Sequence, residues 1–421
     1  MKKIHTAGDE VEALMLQGVL EQAGIPVVLR SRQMPGYSVV FEKATGVWGD
    51  LLVPDERAGD ARALIRDYLA AQPKSAPGPA ASTGLAGIVV PIPTLFDERG
   101  RLDEAANIRH VEWLIARGVH GLFALGTTGE FTSLTRDERR AMAELVVRTA
   151  RGRVPVLVGC GAPGTEEAVA YAEHAEAIGA SGIAVVLPYY WVPPDRSIHE
   201  HFRLIAIATR LPVYIYNFPG LTGRNIPPRL VLRLAEDHAN IAGIKDTIDS
   251  VAHIQEIITT VRPARPDFVV LCGMDYHLLN TLLLGGDGAV PGTANFAPEP
   301  LVEIYRAATQ GRLDDAAERA RRHLNAIPGW FGSDAPAFVV VKEAMVICGL
   351  IAHATARPPA LPLTEDERRA LRRGLEAAGI GAARQEADRQ RVRPEVPGPE
   401  GISGSRRRPG AKDAETGGAS R

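Results

Sequence analysis

The residue whose type first suggests chemistry is Lys245, because this sequence hardly uses lysine. Only seven of its 48 Lys and Arg residues are lysine, and the stretch 75–411 contains only Lys245 and Lys342. Lys245 ends an apolar segment, 240–245, that is typical of a buried strand. Burial lowers the pKa of an amine toward that of a usable nucleophile, whereas a guanidinium keeps its proton. Lys245 is therefore a candidate Schiff-base lysine. The alternative is a strand-end lysine whose amine reaches solvent.

Hydroxyl and phenol groups follow two other apolar segments. Thr127 and Thr128 stand between glycines in the segment 126–130, where exposed backbone N–H groups can hold a carboxylate and the hydroxyls can relay protons. Tyr214 and Tyr216 have the spacing that places both side chains on one side of a strand, and Tyr216 is nearer the strand end. A phenol beside an imine-forming lysine can carry protons. A plain Gly-Thr turn and a strand-end tyrosine without a catalytic role are the alternatives.

The remaining strand ends carry weaker signals. The aromatic run 189–191, which includes Tyr190, is typical of lid packing or a subunit contact. Thr247 follows the lysine by two residues, and the segment 273–275 ends a later apolar segment in Asp275.

The elements that must position these residues repeat one unit, which is a short apolar strand followed by a turn and an amphipathic helix. The predicted strands are 87–93, 119–125, 154–160, 182–187, 212–216, 241–245, 267–272 and 288–291. Helices are predicted at 103–117, 136–150 and 166–178, with left-handed caps at Gly118, Gly152 and Gly179.

Uniformly apolar strands that alternate with helices predict an α/β fold with a parallel sheet covered on both faces. Eight such units in about 250 residues favour closure into a (βα)8 TIM barrel. Chemistry in these barrels lies at the carboxyl ends of the strands, where Lys245, Tyr216 and the two threonines all fall. Their joint placement favours the catalytic interpretation of each.

Composition divides the chain into five parts. A small α+β domain is predicted from a helix at 9–23, strands at 25–29 and 50–53, and a helix at 55–69. Three more helices are predicted after the barrel, near 313–326, 335–350 and 365–378. The predicted parts are the small domain 1–72 with a possible regulatory role, a linker 73–86, the catalytic barrel 87–312, a C-terminal helical extension 313–380 and a disordered tail 381–421.

Bulk properties exclude several classes of function. A hydrophobic content of 45% and a charged content of 23% are typical of a soluble globular protein. The net charge of -2 gives no electrostatic basis for binding nucleic acid or a membrane surface. The sequence contains neither a signal-peptide core nor an apolar run that could span a bilayer, so we expect a cytoplasmic protein.

No metal site is expected. Cys160, Cys272 and Cys348 lie far apart in apolar segments, which predicts buried reduced thiols. His199 and His201 cannot share one helical face, so they do not form a metal pair. The basic run 406–408 fits a solvated tail, and Lys342 fits a structural role in a C-terminal helix.

The segment from about 87 to 380 resembles the dihydrodipicolinate synthase / N-acetylneuraminate lyase family of class I Schiff-base aldolases. Three motifs carry the resemblance, in order and at suitable spacing: Gly-Thr-Thr-Gly-Glu at 126–130, Tyr-Asn-x-Pro at 216–219 and Gly-Ile-Lys at 243–245. The N-terminal module resembles small bacterial domains described as signal-transducing.

The resemblance implies a role for each matching residue. Lys245 would form the imine, Tyr216 would move protons, and Thr127 would relay them with Tyr190, which in many members reaches across a dimer contact. Thr128 and the adjacent amides would bind the carboxylate of pyruvate. Val290 would lie beside bound pyruvate. The family implies a homo-oligomer, commonly a tetramer of two tight dimers, and neither cofactor nor metal.

The sequence departs from the synthases where they carry an arginine for the second substrate. The matching position is Leu221, and Arg224 lies at a different offset. Leu221 and Thr247 resemble the pattern of sialic-acid lyases and 2-keto-3-deoxy sugar acid aldolases. Of these two classes, we expect a 2-keto-3-deoxy sugar acid aldolase. The alternatives are 4-hydroxy-tetrahydrodipicolinate synthase, which joins pyruvate to aspartate semialdehyde, a dehydratase or other 2-oxo acid lyase, and a non-catalytic pyruvate-binding regulator.

Overall fold

A computed structural model describes residues 1–7, 13, 16–17, 19–21, 23–31, 49–71, 85–331 and 334–381. The chain forms two compact units, one made chiefly of residues 1–82 and the other chiefly of residues 83–421. The predicted linker lies almost wholly outside the described residues, as does the predicted disordered tail.

The first unit contains a three-stranded antiparallel sheet in the order β1-β3-β2. Its elements are β1 (Lys2–Ala7), β2 (Val28–Ser31), β3 (Gly49–Val53), a 3₁₀ helix (Asp55–Arg57) and α1 (Ala58–Ala71). Apolar residues of these elements and of the helical residues 16–17 and 19–21 form a small core, which includes Leu16, Leu20, Leu51, Val53 and Ile65.

Two details of this unit differ from the sequence expectation. The strand β1 was not predicted, because its alternating polar residues give no apolar run, and it pairs along the buried strand β3. The strand expected at 25–29 begins only at Val28. Part of the helix expected at 9–23 lies outside the described residues.

The second unit is a closed parallel barrel of eight strands, which confirms the predicted fold class. The strands are β4 (Gly87–Pro91), β5 (Gly121–Ala124), β6 (Val156–Gly159), β7 (Gly182–Val186), β8 (Val213–Asn217), β9 (Ile241–Asp246), β10 (Val269–Cys272) and β11 (Gly288–Ala289). They follow one another in chain order around the barrel, and β11 pairs with β4 to close it. Every residue of these strands is buried, as the uniformly apolar sequence requires.

Helices connect and cover these strands. They are α2 (Glu104–Ala116), α3 (Arg136–Ala150), α4 (Thr165–Ala177), α5 (Asp195–Ala208), α6 (Pro219–Thr222), α7 (Pro228–Asp237), α8 (Val251–Val261), α9 (Leu278–Leu283) and α10 (Pro298–Thr309). Local signals set their ends: the Asp103 side chain accepts from the amide of Ala106, and Thr135 forms a capping box with Glu138. The three predicted capping glycines, 118, 152 and 179, have φ of 74°, 70° and 78°.

Four more helices follow the barrel: α11 (Leu313–His323), α12 (Ile327–Trp330), α13 (Ala337–Ile347) and α14 (Glu365–Ala377). Buried residues of α13 and α14 join the same apolar core as the barrel strands. They therefore extend the barrel unit, as the sequence predicts. Among the described residues, no helix is long and apolar enough to cross a membrane.

The register between β8 and β9 places two of the predicted site residues beside each other. Tyr216 pairs with Lys245, and Tyr214 pairs with Gly243. A Cβ at position 243 would lie 2.8 Å from the Tyr214 ring and 2.6 Å from the Val269 carbonyl oxygen, so only glycine fits there. The glycine of the 243–245 motif thus permits the close strand packing that sets this register.

Candidate active site

One cavity of about 400 Å³ lies where the barrel strands end. Most of the predicted site residues line it, namely Thr127, Thr128, Tyr216, Lys245, Thr247 and Val290. Its opposite wall comes from the C-terminal helices, including Ala337, Phe338 and Val341 of α13. The strand ends and the helical extension therefore enclose a single site.

The Lys245 amine lies against aromatic rings inside this cavity. The residue is only 6% exposed, and its Nζ lies 4.0 Å from the ring centre of Tyr216 and 5.1 Å from that of Phe123. Within the described part of the chain, Lys245 forms no ion pair with a carboxylate. A buried amine that lines a cavity and pairs with no carboxylate is placed as an imine-forming nucleophile would be.

The phenol of Tyr216 connects the lysine to the threonine pair. Its hydroxyl lies 3.1 Å from Thr127 Oγ1, within hydrogen-bond distance, and either oxygen can be the donor. Thr127 belongs to the loop after β5, 89 residues earlier in the sequence. Thr127 and Tyr216 are thus hydrogen-bonded to each other, and the Tyr216 ring lies beside the Lys245 amine.

The loop at 126–130 is a tight turn that leaves two amides free. Gly129 N donates to Gly126 O at 3.0 Å, and Glu130 N donates to Thr127 O at 3.0 Å. The amides of Thr127 and Thr128 have no acceptor among the described residues. Adjacent free N–H groups at a turn form an anion-binding concavity, so this loop can hold a carboxylate.

Glycine is required in this loop because of its neighbours. A Cβ on Gly126 would lie 2.7 Å from the Phe123 ring, and one on Gly129 would lie 3.1 Å from the Leu125 backbone. Thr94 Oγ1 fixes the loop further by donating to Gly129 O at 2.7 Å. The motif therefore encodes a rigid turn whose geometry depends on its own glycines.

Thr247 presents a buried hydroxyl to the same cavity. The residue is 6% exposed, and its Oγ1 has no hydrogen-bond partner among the described residues. A Cβ on Gly273 would lie 1.9 Å from that oxygen, so the glycine leaves room for it. A buried hydroxyl without a partner is a natural contact for a ligand hydroxyl or a water molecule.

Asp275 was noted at a strand end in the sequence but was not chosen as a site residue, and it also lines the cavity. Its carboxylate accepts from the amides of Gly292 and Thr293 at 3.1 and 2.8 Å, and from Thr293 Oγ1 at 2.6 Å. Burial raises its pKa, which those hydrogen bonds partly offset. These bonds fix the segment that directly follows Val290.

A polar network behind the lysine was also missed by the sequence reasoning. Asp246 accepts from Asn217 Nδ2 at 2.6 Å and lies 2.8 Å from His253 Nδ1. Burial opposes a charge on His253, but the hydrogen bond and charge of Asp246 outweigh it and raise the pKa of the imidazole. The network connects the ends of β8 and β9, so it supports the positions of Tyr216 and Lys245.

Two predicted residues lie outside the main cavity. Leu221, on α6, is 61% exposed and lines an adjoining apolar cavity of about 480 Å³ together with Thr127 and Phe338. Tyr190 is fully exposed, at 101% of its reference area, and has a left-handed φ of 84°. A bulky residue adopts that φ only under strain. The chain's own fold does not bring Tyr190 to Lys245.

Arg224 does not replace the arginine of the synthases. Its guanidinium forms an ion pair with Asp195 and lines neither cavity. Among the described residues, no group of three or more His, Cys, Asp or Glu side chains is placed to hold a metal ion.

The structure is a closed (βα)8 barrel with a strand-end cavity, and its family and relatives define it as an enzyme of the lyase class. The chain belongs to the dihydrodipicolinate synthetase family, which matches residues 84–378. Residues 1–68 match a second family, described as "Putative prokaryotic signal transducing protein". Both resemblances inferred from sequence motifs are confirmed.

Several named relatives share this barrel. The Escherichia coli K12 protein "Probable 2-dehydro-3-deoxy-D-pentonate aldolase YjhH" is 45% identical over 294 residues, which cover 70% of this chain and 97% of the relative. A 4-hydroxy-tetrahydrodipicolinate synthase from Gluconacetobacter diazotrophicus is 35% identical over 299 residues, 71% of this chain and 99% of the relative.

A solved structure agrees with the fold. The crystal structure of YagE, a prophage protein of the dihydrodipicolinic acid synthase family from E. coli K12 in complex with pyruvate, has a TM-score of 0.69 and 42% identity. The match covers 70% of this chain and 99% of YagE. YagE also carries the name "Putative 2-dehydro-3-deoxy-D-gluconate aldolase".

Proposed function

We propose that this enzyme is a Schiff-base aldolase that cleaves 2-keto-3-deoxy sugar acids into pyruvate and a hydroxyaldehyde, or joins the two. One observation carries the proposal: the Lys245 amine lies 4.0 Å from the Tyr216 ring, and the Tyr216 hydroxyl lies 3.1 Å from Thr127 Oγ1. A buried amine, a phenol and a hydroxyl in one cavity are the groups that imine chemistry needs.

The reaction follows from these groups. The neutral Lys245 amine attacks the C2 carbonyl carbon, and water leaves to give a cationic imine. Tyr216 gives its phenol proton to the departing hydroxyl as this water forms, and the resulting phenolate then takes the proton of the C4 hydroxyl. The C3–C4 bond breaks, its electron pair moves into the imine to form an enamine, and C4 leaves as the aldehyde carbon. Protonation of C3 and hydrolysis of the imine release pyruvate and free Lys245. Thr127 relays protons to and from Tyr216.

The remaining cavity residues have binding roles in this proposal. The free amides of Thr127 and Thr128, with the Thr128 hydroxyl, hold the carboxylate next to the reacting carbonyl. Val290 packs beside the pyruvate carbons. The unpaired hydroxyl of Thr247 accepts or donates a hydrogen bond to a hydroxyl of the sugar chain.

Two observations favour a hydroxyaldehyde over an aldehyde that carries a second carboxylate. Leu221 cannot make the bidentate anion contact of a guanidinium, and Arg224 is already paired with Asp195. The relatives named as 2-dehydro-3-deoxy-D-pentonate and -gluconate aldolases are 45% and 44% identical to this chain, against 35% for the synthase from Gluconacetobacter diazotrophicus.

Completion of the site by a second copy of the chain is part of the proposal. The strained and fully exposed side chain of Tyr190 supports its insertion into a partner's site, where it would join the relay of Thr127 and Tyr216. We therefore propose a homo-oligomer with tight dimers, located in the cytoplasm. We propose that the module at 1–72 is regulatory and that catalysis belongs to 87–380.

A cleavage assay tests the substrate. Purified enzyme is given 2-keto-3-deoxy-pentonate, 2-keto-3-deoxy-gluconate or N-acetylneuraminate, and released pyruvate is measured; the condensation of pyruvate with aspartate semialdehyde is followed in parallel. We expect cleavage of one of the first two acids, with Lys245→Arg as the inactive control. Preference for aspartate semialdehyde would instead establish a synthase, and pyruvate binding without turnover would indicate a regulator.

A further inference from the structure

A second buried lysine is paired with the last residue of the carboxylate-binding loop. Lys342 is fully buried and Glu130 is 2% exposed, and Lys342 Nζ donates to Glu130 Oε1 across 212 residues of sequence. The ammonium also donates to Thr355 O at 2.9 Å, and Glu130 Oε2 accepts from Arg357 N at 3.2 Å. Burial lowers the pKa of Lys342, and the charge of Glu130 opposes that shift. We call these two residues the Glu130–Lys342 pair.

The pair connects the two walls of the cavity. Glu130 closes the turn that carries the two threonines, through the bond from its own amide to Thr127 O. Lys342 follows Val341 on α13, and Val341 lines the cavity wall opposite the strands. The distance between the loop and the helix is therefore set by a charged contact inside the protein.

Stability alone gives a weak reason for such a contact. The cost of removing two charges from water largely offsets their attraction, so apolar side chains of similar volume would be about as stabilising. The contact in a charged pair is directional, unlike apolar packing, because only one arrangement of the two side chains satisfies the hydrogen bonds of both groups. Here that arrangement also orients Glu130, whose φ of 53° is left-handed.

We propose that Glu130 and Lys342 are positioning residues for the aldol reaction, which hold the Thr127 hydroxyl at Tyr216 and the loop amides at the substrate carboxylate. The inference rests on the proposed function, since its effect appears in that reaction. Neither residue touches the reacting atoms. Their loss therefore acts through the loop and leaves the Lys245 amine in place.

The test replaces the charged pair by uncharged side chains of similar size, as Glu130→Gln with Lys342→Met. We expect a folded protein with little change in melting temperature, and a fall of about 10- to 100-fold in kcat/KM. Much of that fall should come from a raised KM, because the loop amides that bind the substrate carboxylate are displaced. Hydrogen exchange should become faster in peptides that cover 126–133.

A matched control lies on the same helix. Glu343 is 3% exposed and pairs with Arg368 of α14 at 2.7 Å, and neither residue lines the cavity. Glu343→Gln with Arg368→Met should leave kcat/KM within about twofold of the wild-type value.

Glu130→Asp is a second test variant. It keeps the negative charge but shortens the side chain that reaches Lys342, and we expect a smaller rise in KM with the fold intact.

Each outcome decides the question. Unchanged kcat/KM in both Glu130 variants would overturn the positioning role, even if loop exchange became faster. An equal loss in the Glu343 control would also overturn it, because helix packing would then be the cause. A wild-type enzyme that neither cleaves a 2-keto acid nor forms an adduct with pyruvate would instead refute the proposed function itself, and the positioning role with it.

Discussion

The surroundings of Lys245 and of Lys342 differ in one decisive respect, although both lysines are buried beside an aromatic ring. The Lys245 amine lies 4.0 Å from the Tyr216 ring, and the Lys342 amine lies 4.5 Å from the Phe96 ring. Lys342 has Glu130 as a counter-charge, whereas Lys245 pairs with no carboxylate among the described residues. Only Lys245 opens onto the cavity.

This difference shows why burial alone does not identify a nucleophile. A buried ammonium with a bonded carboxylate keeps its charge and serves as a fixed contact. A buried amine that lines a cavity beside a phenol has the neighbours that imine formation needs. We therefore propose that the two lysines serve different purposes, and that the carboxylate beside Lys342 distinguishes the structural lysine from the nucleophile.

The largest difference between the two lysines should appear when each is replaced by arginine. Lys245→Arg should lower kcat by at least about 10³-fold, because a guanidinium cannot form the imine. Lys342→Arg keeps the positive charge beside Glu130 and should retain imine formation. Pyruvate release from the 2-keto acid measures both. Residual turnover near the wild-type level in Lys245→Arg would refute the nucleophile.

Substitution by methionine should have unequal effects on stability at the two sites. Lys342→Met leaves the Glu130 carboxylate buried without its partner and should lower the free energy of unfolding by about 3–5 kcal/mol. Lys245→Met removes an amine with no counter-charge and should change it by less than about 1 kcal/mol. Urea denaturation followed by circular dichroism measures both values, and equal losses would contradict the assigned pairing.

The roles of Tyr216 and Thr127, whose hydroxyls are hydrogen-bonded, can be tested without changing either lysine. Tyr216→Phe should lower kcat by about 10²-fold, since it removes the proton carrier but keeps the ring beside the amine. Thr127→Val should give a smaller loss, because water can replace one hydroxyl of a relay. Steady-state rates on the best 2-keto acid provide the measurement. A phenylalanine variant with normal kcat would remove Tyr216 from the mechanism.

Acid should weaken the contacts of Arg357, which bonds both Glu138 and Glu130. The hydrogen bond from Arg357 lowers the pKa of Glu138 from 4.5 to about 2, and the Arg357 amide binds Glu130. A lowered pKa means that the stabilisation is present above pH 4.5 and is lost as the pH falls toward 2. Since Glu138 is partly exposed, we expect its charge to contribute only about 1 kcal/mol to the free energy of unfolding.

Denaturation of the wild type and of Glu138→Gln at pH 6 and pH 3 checks this expectation. The stability difference between the two proteins should shrink at the lower pH. A constant difference would show that the Glu138 charge does not contribute.

Sequence reasoning recovered the barrel because its signal is local and repeated. Each predicted strand overlaps an observed one, and the errors are at the ends, as in the expected 288–291 against Gly288–Ala289. Hydrogen bonding to a neighbour decides where a strand ends, and the chain's own pattern does not contain that information. The strand β1 was missed for a related reason, since pairing with β3 compensates for its weak apolar pattern.

Residues that line the cavity were predictable where one segment carries a recognisable motif, as at 126–130 and 243–245. Contacts between distant segments were not predictable. Lys342 was expected only to be structural, because its partner Glu130 lies 212 residues away. The buried network of Asp246 and His253, and the bonds of Asp275, likewise depend on how separate strands meet.

The most direct test of Lys245 as the imine-forming residue is reduction of the enzyme with borohydride in the presence of pyruvate, followed by peptide mass analysis. A lysine imine is reduced to a stable secondary amine. We predict that the peptide containing Lys245 gains the mass of one reduced pyruvate and that the peptide containing Lys342 is unchanged. An unmodified Lys245 peptide, or an adduct on another lysine, would contradict the assignment of Lys245 as the nucleophile.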